Sequence, residues 1–497
     1  MTLGGTRVLS LATRADIDPE ALVERAKEQC KQPIKLSWED VKFTAEIKTS
    51  KSEREKDPDL GPTKDLKIVK GVSGFAAPGQ ATYIMGSSGA GKTSLLNILA
   101  DRVTSATRTT LSGNIVFNDE IPVTKESFQK YAAYVMQDDV LFATFTVREA
   151  LTFAARLKLK VSEEEQDYLV NNIILDLGMS HISESQIGDA QRKVLSGGER
   201  KRCSIGVELV SDPSIILLDE PTSGLDSFKA LSICQLLHRL ARNRGKTIVS
   251  TIHSPSSEAF FFFDRLILMA DGHIVYQGDA KQSVTYFEEI GKPVPRQTNP
   301  ADFFMKLLSI NYPRQAADKQ KMKELKQAYK AKKKKQIKVE NRVIRLAAPK
   351  QEGPSHHKAA TMVQLRQLMH RSWTLAKREP RLSRAKLIQT TVVAILMMGA
   401  FWQVNDYSSA QSVQDMAGAI YFMTVVQMFL NFQPTVIVFQ GEKPVYVRER
   451  DSGMYDIWVY TTTKLIAETP IMLVVPIVFL LLIYFAIGLT NSFTQFF

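Results

Sequence analysis

The sequence predicts an α/β domain built on parallel strands, followed by an α-helical transmembrane domain. Three observations indicate this: a glycine-rich loop between an apolar strand and a helix, further apolar strands that end in polar residues, and long apolar stretches late in the chain. The chain has 497 residues, enough for two or three domains, because single hydrophobic cores stop growing well below that length.

The glycine-rich loop is residues 86–93, with the sequence GSSGAGKT, and it lies between an apolar run and a segment with helical spacing. A loop of this form binds phosphate, because its backbone N–H groups point inward and the following helix begins at its positive end. We expect Lys92 to contact the β- and γ-phosphates and the Thr93 hydroxyl to hold Mg²⁺. A glycine-rich turn with an incidental lysine is the alternative. The predicted phosphate contacts of this segment are Gly86, Ser87, Ser88, Gly89, Ala90, Gly91, Lys92, Thr93 and Ser94.

The apolar run 215–218 ends in two carboxylates, Asp219 and Glu220. A continuous apolar strand is typical of a parallel sheet that is buried on both faces. We expect Asp219 to hold Mg²⁺, directly or through its water shell, and Glu220 to polarise a water for attack on the γ-phosphate. The tight turn at residues 223–226 follows, and Asp226 is predicted to contact nucleotide.

Two further strands also end in polar side chains. Gln137 ends the strand at 131–137, and His253 ends the strand at 246–252. Ligands of open α/β sheets bind at this edge, so His253 is predicted to contact the γ-phosphate. Gln137 is predicted both to coordinate Mg²⁺ and to act as a catalytic residue together with Glu220 and His253. A structural role is the alternative for the histidine. Phe43, in an earlier strand, is interpreted either as a ring that stacks on adenine or as a buried strand residue.

A second anion site is predicted at Ser196, Gly197, Gly198 and Glu199, which open a helix. The alternative for this segment is an ordinary serine N-cap followed by a glycine turn. A chain with a phosphate loop and a second phosphate-binding helix start has a reason to dimerise.

Three apolar stretches predict membrane spans at about residues 386–404, 416–439 and 468–489. About 20 residues are needed to cross a hydrocarbon core of about 30 Å. Lysine and arginine precede the first stretch and follow the second, whereas residues 403–415 have neither, so the N-terminal domain is expected on the cytosolic side of a multi-pass membrane protein. The charged, aromatic segment 441–464 is expected to be a short cytosolic helix that takes force from the preceding domain.

Residues 319–338 hold ten lysines, which favours a solvated helix or a disordered linker; attraction to anionic lipid is the alternative. The net charge of +12 is concentrated there and at the membrane flank, which argues against nucleic acid as a partner. The three cysteines lack metal-like or paired spacing and indicate a reducing compartment. The predicted domains are an N-terminal extension (1–35), a nucleotide-binding domain (36–309), a basic linker (310–360), an amphipathic connecting helix (361–384) and a transmembrane domain (385–497).

Taken together, the phosphate loop, Gln137, the sequence LSGGE at 195–199, the acid pair and His253 resemble the ATP-binding cassette, over about residues 36–309. The nucleotide domain precedes the spans, as in the G subfamily of White-type half-transporters. This resemblance implies a P-loop ATPase fold with a helical subdomain, in which two chains enclose two ATP molecules with Mg²⁺. Each site would join the phosphate loop of one chain to Ser196–Glu199 of the other.

The resemblance also implies a function. We expect a half-transporter that forms a homodimer or a heterodimer, lies among membrane lipids, and exports a lipid-like or hydrophobic small molecule. The family's membrane domain has six spans, so the three found here imply that this membrane domain is incomplete. A membrane-anchored regulatory ATP-binding protein is the alternative function.

Overall fold

A computed structural model describes residues 32–49, 62–103, 109–188, 194–309, 316–332, 334–344, 346, 358–379, 381–402 and 410–487. Three parts of the prediction therefore lie outside the described residues: residues 1–31 of the predicted extension (1–35), parts of the linker, and the ends of the first and third predicted spans. By internal contacts the chain forms two compact units. The first comprises Met1–Asp139, Tyr168–His181 and Leu195–His356, and the second comprises Val140–Asp167, Ile182–Val194 and His357–Phe497.

Two β-sheets are found among the described residues of the first unit. Their strands are β1 (Leu36–Lys48), β2 (Thr63–Ala76), β3 (Ala81–Gly86), β4 (Thr109–Phe117), β5 (Ile121–Pro122), β6 (Ala132–Val135), β7 (Ile215–Leu218), β8 (Thr247–Thr251), β9 (Arg265–Ala270) and β10 (His273–Asp279). The antiparallel sheet has the order β2-β1-β4-β5, and the second sheet has the order β10-β9-β3-β8-β7-β6.

The second sheet positions the candidate site. Its strands β9, β3, β8, β7 and β6 pair in parallel, and only β10 is antiparallel to its neighbour. Every residue of β3, β7 and β8 is buried, as expected for strands that are covered on both faces. Because these strands are parallel, the residues that follow β3, β6, β7 and β8 lie along one edge of the sheet.

The helices that follow in chain order are α1 (Lys92–Leu99), α2 (Lys125–Tyr131), α3 (Val147–Lys158), α4 (Glu163–Asp176), α5 (Gly197–Leu209), α6 (Ser227–Arg244), α7 (Ser257–Phe260), α8 (Gln282–Glu289), α9 (Pro300–Leu308), α10 (Ala316–Lys332), α11 (Lys334–Val343), α12 (Thr361–Arg378), α13 (Arg381–Ala400), α14 (Ala410–Asp451) and α15 (Ile457–Ile487). The main core of the first unit joins both sheets and α1 through residues such as Trp38, Ile84, Leu95 and Leu217. Phe43 belongs to the same buried cluster, in agreement with the second interpretation of that residue.

The lysine-rich segment is helical, which was one of its two predicted forms, but it is not solvated on every side. Helices α10 and α11 belong to the first unit, and Tyr329 of α10 is buried in its main core. Met322, Leu325 and Tyr329 are spaced three and four residues apart, so they form one buried stripe between the lysines. The high lysine content concealed this stripe.

The second unit is helical in its described part. Its helices include α3, α12, α13, α14 and α15, and a buried cluster that contains Ala394, Met423 and Phe479 joins the last three. Segments 140–167 and 182–194, which the sequence assigned to the nucleotide-binding domain, group here with residues 357–497.

Two helices in the described part of the chain are long and apolar enough to cross a membrane, at Val413–Phe432 and Ile457–Tyr484. They overlap the second and third predicted spans. The first predicted span overlaps α13, which does not meet this criterion, and it stays a prediction. The expected short helix at 441–464 is wrong in form: α14 continues to Asp451, a turn follows, and α15 begins at Ile457.

Candidate nucleotide-binding site

The predicted phosphate loop connects β3 to α1. Gly91 is the residue before α1 and has a φ of 93°, in the left-handed region that favours glycine. A Cβ atom at Gly86 would lie 2.2 Å from the carbonyl oxygen of Met269, so a larger residue does not fit there. The local sequence therefore fixes the loop through both backbone conformation and close packing.

Lys92 is buried and is held by its own loop. Its Nζ donates to the carbonyl oxygens of Gly86 at 2.8 Å and of Ser87 at 3.3 Å. Burial lowers the pKa of Lys92, while the nearby Glu220 and Asp219 oppose that shift. The ammonium group thus lies close to two carboxylates inside a loop whose geometry suits an anion.

Asp219 accepts two hydroxyl hydrogen bonds on one oxygen. The Thr93 Oγ1 donates to Asp219 Oδ1 at 3.0 Å, and the Thr251 Oγ1 donates to the same atom at 2.7 Å. The Thr251 hydroxyl also accepts from the backbone N–H of Glu220 at 2.8 Å. Thr251 thereby ties both acids to the end of the neighbouring strand β8.

Glu220 is joined to Gln137. The Gln137 Nε2 donates to Glu220 Oε2 at 3.1 Å. Glu220 has a φ of 42°, a left-handed conformation that is uncommon for a non-glycine residue. Such conformations are costly and cluster at functional sites, where the surroundings hold them in place.

Lys201 connects the helix opened by Ser196 to the end of strand β6. Its buried Nζ donates to the carbonyl oxygen of Gln137 at 2.7 Å and lies 2.8 Å from Asp139 Oδ1. Burial raises the pKa of Asp139, and Lys201 opposes that shift. Sequence analysis missed both Thr251 and Lys201. Thr251 is a polar residue in an apolar run, which is a signal that could have identified it, whereas Lys201 lies among other charged residues that give no such signal.

The predicted second anion site has the geometry of a capping box. Glu199 Oε2 accepts from the Ser196 N–H at 2.8 Å, and Ser196 Oγ accepts from the Glu199 N–H at 3.4 Å. Burial would raise the pKa of Glu199, but hydrogen bonds from Ser196 and from His181 lower it below its ordinary value.

His253 and Asp226 occupy other surroundings. His253 Nδ1 lies 3.1 Å from Ser254 Oγ, and Asp226 caps α6 by accepting from the N–H of Lys229 at 2.9 Å. The hydrogen bond from the Lys229 side chain is the largest cause that lowers the pKa of Asp226. Within the described residues, no hydrogen bond links Ser196, Glu199, Asp226 or His253 to the cluster around Asp219. The structure therefore joins Thr93, Gln137, Asp219 and Glu220 by hydrogen bonds, with Lys92 and the rest of the predicted phosphate loop next to Thr93.

The donor set around Asp219 fits Mg²⁺. This ion prefers oxygen ligands and is usually held by one or two carboxylates together with substrate phosphates. The Thr93 hydroxyl, the Asp219 carboxylate and the Gln137 amide supply such oxygens. No group of three or more His, Cys, Asp or Glu residues that could hold a metal ion occurs in the part of the chain that the structure describes. Phosphate oxygens and water would supply the remaining ligands of such an ion.

Two family models match the two parts of this chain. Residues 69–223 match the family model described as ABC transporter, and residues 363–497 match one described as ABC-2 type transporter. The chain is 33% identical over 467 residues to "Broad substrate specificity ATP-binding cassette transporter ABCG2" of Mus musculus, covering 88% of this chain and 69% of that protein. The chain belongs to the ABC transporter G family. It is also 31% identical over 514 residues to "ABC transporter G family member 26" of Arabidopsis thaliana, covering 95% of this chain and 72% of that protein.

Membership of the ABC transporter G family confirms the predicted fold class, a P-loop nucleotide-binding domain followed by a helical membrane domain. The chain is 36% identical over 447 residues to "Protein white" of Drosophila melanogaster, and it spans 64% of the length of that relative. A further family model, also described as ABC-2 type transporter, matches residues 253–333 and so includes helix α10.

Proposed function

We propose that this chain is a half-transporter that binds Mg²⁺ and ATP and hydrolyses the ATP to drive export of a lipid-like or hydrophobic small molecule. The observation that carries the proposal is the hydrogen-bonded cluster that runs from Thr93 through Asp219 and Thr251 to Glu220 and Gln137. These groups lie at one edge of the parallel sheet, next to a loop suited to phosphates.

Each member of the cluster has a distinct task in the proposed reaction. The loop backbone and Lys92 bind the phosphates, and Thr93 and Asp219 hold Mg²⁺, which would neutralise phosphate charge when bound. Glu220 orients and polarises the attacking water, with Gln137 positioning its carboxylate. The Thr251 hydroxyl holds the side chain of Asp219 and the backbone of Glu220 in place through its two hydrogen bonds. His253 is proposed to contact the γ-phosphate.

A second copy of the chain, or another half-transporter, is proposed to complete each site. Ser196–Glu199 and Asp226 lie outside the hydrogen-bonded cluster, which supports their use against nucleotide held by a partner. A helix N-terminus binds phosphate through its backbone N–H groups. Because the N–H of Ser196 donates to Glu199, the N–H groups of Gly197 and Gly198 are the ones proposed for this role.

The proposed coupling uses the continuity of the chain after Gln137. Three residues later the chain enters the second unit, where Arg448 of α14 donates to the carbonyl oxygen of Val140 at 2.6 Å. Arg378 of α12 donates to both carboxylate oxygens of Glu149, at 2.6 and 2.7 Å. Displacement of Gln137 on nucleotide binding would therefore be passed to α12 and α14 through a short, well-anchored segment.

The membrane part supports a hydrophobic cargo. The candidate spans at Val413–Phe432 and Ile457–Tyr484 are long and apolar enough to lie in a bilayer, from which a hydrophobic molecule could be taken, and one relative is named for broad substrate specificity. We propose a multi-pass membrane protein with its nucleotide-binding domain in the cytosol and no nucleic acid as partner.

The test uses Glu220→Gln in the purified full chain with Lys92→Ala as its control. Glu220→Gln should retain Mg-ATP, stop phosphate release and accumulate as a dimer, measured by light scattering in detergent. Lys92→Ala should remain monomeric with ATP. Normal hydrolysis by Glu220→Gln, or a monomer that holds ATP, would contradict the proposal. Export is tested separately, by ATP-dependent uptake of a hydrophobic fluorescent probe into inside-out vesicles.

A further inference from the structure

The first unit contains a cavity of about 300 Å³ between the antiparallel sheet and helices α10 and α11. Its volume lies at the lower end of the range for small-molecule sites and is about ten times the ~30 Å³ that a water occupies in the liquid. No residue of the phosphate loop lines it, so it is distinct from the candidate nucleotide site.

The cavity is bordered by an excess of positive charge. Its lining includes two carboxylates, Glu39 and Asp119, and four cationic side chains, Lys326, Lys330, Lys338 and Arg342. Both carboxylates are already engaged: Asp119 by the buried Lys35 at 2.5 Å, and Glu39 by Lys338 at 3.2 Å. Among the described residues, neither Lys330 nor Arg342 has an ion-pair partner.

His273 lines the same cavity, and the positive charge of nearby lysines affects its pKa. The pKa of His273 is lowered to about 4, mainly by burial and in addition by the charges of Lys326 and Lys70. Asp271 opposes this shift without cancelling it. The contributions of Lys326 and Lys70, unlike that of burial, reflect positive charge near the cavity, in agreement with the excess of cationic side chains in its lining.

Buried polar atoms beside the cavity lack partners. The Trp38 side chain lines it, the residue is 2% exposed, and its Nε1 has no hydrogen-bond partner among the described residues. The same holds for both amide atoms of Gln277, which lie 2.8 Å from where a Cβ of the lining residue Gly74 would stand. Buried groups of this kind are normally paired, so an acceptor oxygen of a ligand would match the Nε1–H donor of Trp38 at the cavity wall.

We propose that this cavity binds a small, freely diffusing anion that carries two or more phosphate groups. Lys326 and Lys330 come from α10 and Arg342 from α11, so one ligand would contact both helices. Lysine and arginine bind phosphate through charge-assisted hydrogen bonds, and several such groups around a small space favour a multivalent anion. Bound ligand would thus fasten the two helices to the antiparallel sheet.

The test measures binding of pyrophosphate to the purified full chain by equilibrium dialysis. All proteins carry Lys92→Ala, which removes binding at the phosphate loop. Lys330→Glu is compared with Lys323→Glu, the same charge reversal at an exposed position of the same helix that does not line the cavity. We expect Lys330→Glu to weaken binding by about tenfold or more, and Lys323→Glu to change it by less than about twofold.

Three outcomes overturn the proposal. They are the absence of saturable pyrophosphate binding, equal weakening by both variants, and binding restricted to phosphatidylinositol bisphosphate in mixed micelles. If Lys330→Glu fails to fold, Lys330→Gln is compared with Lys323→Gln instead. Lys330→Gln should then bind pyrophosphate more weakly than Lys323→Gln. Because Lys92→Ala is present throughout, failure here leaves the proposed ATPase function unaffected.

Discussion

A buried ion pair in the second unit offers a sharp test of the physical reasoning. Arg371 of α12 and Glu449 of α14 lie 2.6 Å apart, with side chains that are 4% and 2% exposed. The Tyr455 hydroxyl donates to the same Glu449 oxygen at 2.6 Å. The Arg371 guanidinium lies 4.7 Å from the ring centres of both Phe142 and Phe153. The Arg371 guanidinium therefore contacts side chains from α14, from α3 and from the segment before α3.

The perturbation is Glu449→Gln, which removes the negative charge and keeps the shape. Burial by itself would lower the pKa of Arg371, but Glu449 and Tyr455 raise it above its ordinary value, so the guanidinium is charged at every working pH. Without Glu449 that charge stays buried and unpaired. Breaking a buried pair on one side costs about 3–5 kcal/mol. The cation–π contacts of Arg371 with the two rings, each worth about 2 kcal/mol, are present before and after the substitution and so do not offset this cost.

The assay is unfolding of the full chain in detergent by guanidinium, followed by tryptophan fluorescence. Arg371→Met combined with Glu449→Gln should recover a large part of the lost free energy of unfolding, because the charge of Arg371 is no longer buried without its carboxylate. Arg448, which lies 3.5 Å from Glu449, keeps its hydrogen bond to the carbonyl oxygen of Val140. Asp451→Asn, on a partly exposed pair with Arg450 in the same helix, is the control and should cost about 0–1 kcal/mol. A stable Glu449→Gln, or a double variant no better than the single one, would refute the reasoning.

Three further predictions concern the first unit. Lys92→Ala should abolish ATP binding in a fluorescent-nucleotide titration, because charge-assisted contacts in a buried site are worth several kcal/mol, about 3 or more; unchanged affinity would contradict this. Thr251→Val should lower the ATPase rate by about tenfold or more while nucleotide stays bound, since the hydroxyl bridges Asp219 and Glu220, and Thr251→Ser should restore it. Between pH 6.5 and about 4 the unfolded chain binds a proton at His273 that the folded chain does not, so the free energy of unfolding should fall as the pH falls. His273→Gln should lose less stability than the parent over that pH range, and an identical loss in both would exclude the effect.

Local signals identified most of the candidate site. The loop around Lys92 was predictable because a strand, its glycines and a helix start are adjacent in the sequence. Gln137, Asp219 and Glu220 were predictable because each comes within two residues of the end of a buried strand, and parallel strands end at one edge. Their roles in binding and hydrolysis stay predictions.

Other residues could not be assigned in this way. Thr251 is one polar residue in an apolar run, and its position between two acids depends on which strands are neighbours. Lys201 resembles the basic residues on either side of it, yet it is the one whose ammonium group is buried against Asp139. The stripe of α10 was hidden by lysines, which lie on the same helix and face elsewhere or border the cavity.

The sequence by itself determined the order of the elements, the phosphate loop and the apolar stretches of the membrane part, because each is written in residues within about one helical or strand length. Only the tertiary structure decided that residues 140–167 pack with the helices near the membrane. That choice depends on pairs such as Glu149 and Arg378, which are 229 residues apart. Spacing in a sequence carries no signal for a contact of that range, since any of many carboxylates could meet any of many cations until the chain is folded.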